Sequence, residues 1–95
     1  MPNLFGKYLY KKNQMKAKEI QEHNSERLRA ITAFLKEYRL SNGCSQLEVS
    51  DSANLSRNTI VRMESDCPVN LTLLTVFEIA DALEVDVNQI FLEIE

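Results

Sequence analysis

Four residues of one short stretch have side chains suited to contacting nucleic-acid bases: Arg57, Asn58, Val61 and Arg62. An arginine can donate two parallel hydrogen bonds to guanine, and an asparagine can pair with adenine. The side chain of an exposed valine can contact the methyl group of thymine. These residue types are those that a helix needs if it is to read DNA in the major groove.

Helical periodicity predicts which side of this segment is exposed. At 100° per residue, Ile60 and Met63 fall on one side of the helix. The other side carries Asn58, Val61, Arg62 and Ser65, with Arg57 at the boundary. The apolar side is expected to face a core. The polar side is interpreted either as a DNA-reading surface or as the solvated face of an ordinary amphipathic helix.

The residues before this segment predict a second short helix joined to it by a tight turn. Ser45 can cap that helix, and Glu48 three residues later completes a capping-box pattern. Asn54 tolerates the left-handed conformation that ends helices, and Ser56 can cap the next helix. The stretch from 45 to 65 is therefore predicted to be two short helices in succession.

This pair of helices resembles the XRE-type helix-turn-helix domains, related to the lambda and 434 phage repressors and Cro, over about residues 25 to 92. The resemblance implies that Gln46 binds a DNA phosphate and that Ser56 caps the reading helix. It also implies a structural ion pair between Arg39 and Glu64. The base-facing positions would be Arg57, Asn58, Thr59 and Arg62, with Val61 beside them.

The chain departs from the family pattern at two positions. Asn54 stands in the turn where the family usually has glycine, and Ser50 stands inside the first helix of the pair where alanine is usual. Both replacements are small, so the family fold remains the expectation.

Charge is distributed unevenly along the 95 residues. Residues 1–29 carry seven basic and three acidic residues, a net charge of +4, whereas residues 30–95 carry four basic and eleven acidic residues, a net charge of −7. Neutralisation of phosphates normally supplies much of the affinity for DNA, so the acidic part argues against DNA binding. More than half of its acids follow residue 77, in the third of the chain that the family arrangement would keep away from DNA.

The remaining helices are predicted from apolar spacing and caps. Asn24 or Ser25 is expected to cap a helix that runs from about 25 to 40 and ends before Gly43. Thr72 is expected to cap a helix whose apolar face is formed by Leu73, Val76, Phe77, Ala80 and Leu83. Asp86 is expected to cap a final helix from Val87 to Phe91. The predicted fold is therefore an all-α, five-helix domain at 25–95, preceded at 1–24 by a basic arm or a frayed helix.

Candidate sites for catalysis, metal or cofactor binding are not predicted. Gly6 and Gly43 are the only glycines and form no phosphate-binding loop, and His23 has no nucleophile at a recognisable spacing. Cys44 and Cys67 are interpreted as free thiols, because they form no metal-like pair. The lack of a membrane-length apolar run and of a secretory signal favours a cytoplasmic protein.

These observations predict a sequence-specific transcriptional regulator that binds double-stranded DNA, uses no cofactor and is not an enzyme. One short reading helix contacts too few base pairs to mark a site, so a homodimer is expected. Phe91, Leu92 and Ile94 are its predicted contact surface. The alternative is a protein-interaction module of the same fold that does not bind DNA.

Overall fold

A computed structural model describes residues 16–65 and 71–94 of the chain. Within these residues the chain forms five α-helices and no β-strand, which confirms the predicted all-α class. Residues 1–15 of the predicted basic arm or frayed helix, and the predicted free thiol Cys67, lie outside the described residues. The helices are α1 Ala17–Ser41, α2 Gln46–Ala53, α3 Arg57–Met63, α4 Leu73–Leu83 and α5 Val87–Leu92.

Helix α1 begins well before the predicted start. Asn24 and Ser25 lie inside it, and its N-cap Lys16 makes no side-chain capping hydrogen bond. The predicted start was wrong. The residues before Asn24 favour helix, and a residue that is able to cap a helix does not interrupt one that already runs through it. All residues from 16 to 24 are exposed. The division of the chain into 1–24 and 25–95 stays a prediction.

The turn between α2 and α3 forms as its capping residues predict. The Ser45 hydroxyl accepts a hydrogen bond from the Glu48 amide at 3.0 Å, and the Ser45 amide donates to the Glu48 carboxylate at 2.9 Å. Asn54 ends α2 in the left-handed region with φ of 56°, and the Leu55 amide donates to the Ser50 carbonyl at 2.9 Å. These local hydrogen bonds fix where α2 stops and α3 starts.

The core is formed by all five helices. Helix α2 packs against α3 and α4, and α1 packs against α4 and α5. Leu35, Ile60, Ile79 and Ile90 are fully buried, and each burial stabilises the fold by about 1.5–3 kcal/mol. Because Ile60 holds the inner side of α3 in this core, the other side of α3 faces outward.

The buried face of α4 is rotated from the predicted one. Leu73 and Phe77 belong to the predicted apolar face, but they are 56% and 36% exposed. Ile79 is buried instead, together with the other three residues of the predicted face. The buried residues of α4 are Val76, Ile79, Ala80 and Leu83.

Helix α4 ends at Glu84, which has a φ of 59°. A side chain in this left-handed region costs about 1–2 kcal/mol, whereas glycine adopts it without strain. We therefore expect Glu84→Gly to raise the free energy of unfolding by about 0.5 kcal/mol, after the loss from greater unfolded-state entropy is subtracted. Urea denaturation measures the change.

Glu78→Gly is the matched control, because Glu78 lies inside the same helix. Glycine there should lower the free energy of unfolding by about 0.5–1 kcal/mol. Equal destabilisation by both substitutions would contradict the proposed strain at Glu84.

Candidate nucleic-acid interface

The outward side of α3 carries the side chains that the sequence pattern placed there. Arg57, Asn58, Val61 and Arg62 are exposed, whereas Ile60 and Met63 are buried. The helix has only seven residues, so these exposed side chains lie within two helical turns. Two guanidinium groups and one amide therefore face solvent from one short helix.

Ser56 and Thr59 have local hydrogen-bond partners at the start of α3. The Ser56 hydroxyl accepts from the Thr59 amide at 3.1 Å, and the two hydroxyl oxygens are 2.8 Å apart. Ser56 thereby caps the helix, as predicted. Thr59 is half-buried, so it is less accessible than the other residues predicted to face bases.

Arg39 of α1 and Glu64 at the end of α3 form a two-bonded ion pair. The Arg39 Nε donates to Glu64 Oε2 at 2.6 Å, and Nη2 donates to Oε1 at 2.8 Å. The side chains are only 9% and 3% exposed. Arg39 Nη1 also donates to the Cys44 carbonyl at 2.7 Å. One guanidinium therefore connects α1, the end of α3 and the residue before the cap of α2.

Gln46, the predicted phosphate ligand, joins the same cluster. It is the first residue of α2, and its Nε2 donates to Glu64 Oε1 at 3.0 Å. The side chain is half-buried. The sequence reasoning missed this hydrogen bond, because nothing local relates two residues that are eighteen positions apart.

The surroundings of the ion pair keep both groups charged. Burial raises the pKa of Glu64, but hydrogen bonds from Arg39 and Gln46, with the charges of Arg39 and Lys36, outweigh it and leave the pKa below its ordinary value. The hydrogen bond to Glu64 raises the pKa of Arg39, against a smaller opposing effect of burial. The carboxylate is thus ionised at neutral pH and can accept all three hydrogen bonds.

Among residues 16–65 and 71–94, no three histidine, cysteine or acidic side chains are arranged to hold a metal ion. Cys44 is a half-buried free thiol. No helix among the same residues is both long and apolar enough to cross a membrane.

Comparison with known proteins gives one family. A family model described as helix-turn-helix matches residues 35–90, which is more than half of the chain. The match starts in α1, includes α2, the turn and α3, and ends in α5. No curated protein matches the chain.

Proposed function

Because the chain belongs to the XRE and lambda-repressor-like helix-turn-helix family, we propose that it is a sequence-specific transcriptional regulator, repressor-like in action, that reads the major groove of DNA with α3. The observation that carries this proposal is the exposed, cationic and hydrogen-bonding side of α3. Helix α3 is short and packs into the core through Ile60, so its opposite side remains exposed and can enter a groove.

Each exposed residue of α3 has a proposed role. Arg57 and Arg62 would donate hydrogen bonds to guanine, Asn58 would pair with adenine, and Val61 would contact a thymine methyl group. Thr59 and Ser56 would contribute contacts at the start of the helix once their mutual hydrogen bond is exchanged for one to DNA. These are proposals from residue chemistry and exposure.

Gln46 is proposed to bind a DNA phosphate at the start of α2. It carries an amide donor and lies at a helix N-terminus, where free backbone amides favour an anion. This contact would fix the position of the protein on DNA without selecting bases.

The second candidate function is a protein-interaction module of the same fold. The net charge of −7 over residues 30–95 favours it, since an acidic domain repels phosphates. We propose the DNA-binding function first because the exposed side of α3 is cationic despite that balance. No catalytic activity or cofactor is proposed, and the cytoplasm stays the proposed location.

Selection from a random-sequence DNA pool tests the proposal. The purified protein is incubated with the pool, and the retained duplexes are sequenced after several rounds. Enrichment of a shared site, at a stated salt concentration, would support the regulator. Retention without any shared sequence would instead show general DNA affinity, and no retention would favour the protein-interaction module.

A homodimer is proposed from the size of the reading surface. One helix of this kind reads three or four base pairs, whereas two copies about 34 Å apart would read a palindromic site. On α5, Ile90 is fully buried, but Phe91 and Leu92 are 37% and 59% exposed. Ile94 beyond the helix is half-buried, and these three residues form the proposed contact.

We expect Leu92→Glu to weaken dimerisation and operator binding together while the helical content stays the same. A charged side chain would have to be desolvated in the interface, whereas in the monomer it faces water. Ile94→Glu should act in the same direction. Sedimentation equilibrium measures the dimer, and circular dichroism measures the helical content.

Leu74→Glu is the control for this experiment. Leu74 lies on α4 and is 65% exposed, so the substitution makes a similar chemical change away from α5. It should leave the dimer unchanged. An unmutated protein that is monomeric both free and on a palindromic site would refute the dimer.

A further inference from the structure

The amide of Gln46 has its orientation set by one carboxylate. Its Nε2 lies 3.0 Å from Glu64 Oε1. An ionised carboxylate accepts hydrogen bonds and donates none. The amide nitrogen must therefore face Glu64, because the amide oxygen would be repelled there. One N–H of the amide is used in this contact, and the second N–H remains for another acceptor.

The Glu64 carboxylate has a fixed position, so it can fix the orientation of the Gln46 amide. Two hydrogen bonds from Arg39 fix its oxygens, and Arg39 is fixed in turn by the Cys44 carbonyl. Its side chain is 3% exposed, so little water competes for the carboxylate. Glu64 is also the residue at which α3 ends. The start of α2 and the end of α3 therefore share one fixed group.

We infer that Glu64 is a positioning residue for DNA, which acts by orienting the Gln46 amide so that its free N–H meets a phosphate. The inference rests on the proposed function, in which Gln46 contacts the DNA backbone. A glutamine side chain has several rotatable bonds, and ordering it before binding removes part of the entropic cost of the contact. The same carboxylate also sets the distance between the phosphate contact and the reading helix.

A double-mutant cycle on DNA binding tests the inference. Gln46→Ala, Glu64→Gln and the double variant are titrated with a short duplex of arbitrary sequence, because a phosphate contact does not need the preferred site. Gln46→Ala should weaken binding about tenfold, the value for one hydrogen bond to a charged group. Glu64→Gln should weaken it by a similar factor, and should add little further loss when alanine already replaces Gln46.

The sign of the Glu64→Gln effect separates positioning from simple electrostatics. This substitution removes a negative charge and leaves Arg39 without its counter-charge, so charge alone would strengthen DNA binding. A loss of affinity therefore cannot come from charge, and its dependence on Gln46 shows whether it comes through the amide. Equal loss from Glu64→Gln with and without Gln46 would overturn the inference and make Glu64 a purely structural residue.

A measurement without DNA keeps the inference testable if Glu64→Gln fails to fold. Nitrogen-15 relaxation of the Gln46 side-chain amide in the unmutated protein should show restricted motion. The amide of Gln89, an exposed residue on α5, is the internal reference for a mobile side chain. Equal mobility of the two amides would overturn the inference.

The binding experiments separate failure of this inference from failure of the proposed function. If the unmutated protein binds no duplex at all, both fail. If it binds DNA but the affinity losses of Gln46→Ala and Glu64→Gln are additive, the inference alone is rejected.

Discussion

Replacement of Arg39 by methionine should lower the free energy of unfolding by about 3 kcal/mol, a large fraction of the stability of a small domain. The substitution leaves the Glu64 carboxylate, 3% exposed, without its cation, and it also removes the donor to the Cys44 carbonyl. Methionine fills a similar volume, so the loss comes from uncompensated charge and not from a cavity. Chemical denaturation at neutral pH measures the difference.

A thermodynamic cycle with Glu64→Leu assigns the effect to the pair. The double variant buries neither charge, so it should be much less destabilised than the sum of the single variants predicts. Arg27→Met is the control, since Arg27 is exposed on the same helix and its loss should change stability by less than about 0.5 kcal/mol. Additive losses in the cycle would refute a coupled pair.

Arg62→Ala and Asn58→Ala should each weaken binding to the preferred DNA site by about 1–3 kcal/mol and relax the choice of base. Both side chains are exposed on the proposed reading side of α3, so their removal should not disturb the core. Gln46→Ala should instead weaken binding to all sequences alike, since a phosphate contact carries no base information. Titrations with the selected site and with random duplex measure both quantities.

Arg27→Ala is the control for these titrations, because it removes an exposed arginine from α1 and not from the reading helix. It should change the affinity for both duplexes by similar, small factors. If Arg62→Ala and Asn58→Ala lose no more on the preferred site than on random DNA, the assigned groove-facing side of α3 is wrong.

Local patterns predicted the central pair of helices well, because local hydrogen bonds determine it. The hydrogen bonds of the Ser45 and Glu48 capping box and of the turn at the left-handed Asn54 join residues at most five positions apart. Ser56 likewise caps α3 through Thr59. Such contacts form within a single turn, so residue type and spacing are enough to predict them.

Features that depend on tertiary packing were predicted less well. The orientation of α4 differs because two apolar faces competed, and contact with α1 and α2 selects the one that contains Ile79 and not Phe77. The link between Gln46 and Glu64 depends on how α2 and α3 meet, which spacing along the chain does not define. The Arg39 and Glu64 pair was expected only from the family resemblance.

The first third of α1 is expected to unfold locally, independently of the rest of the domain. Residues 16–24 are exposed along the whole circumference of the helix, whereas Thr32, Leu35 and Arg39 further along are buried. A helical segment without tertiary packing is only marginally stable, so its backbone hydrogen bonds open without unfolding the domain. Amide hydrogen exchange should therefore be fast near Ala17 and slow steadily towards Leu35. Exchange rates along this one helix would therefore report local fraying at its start and the global stability of the domain towards its end.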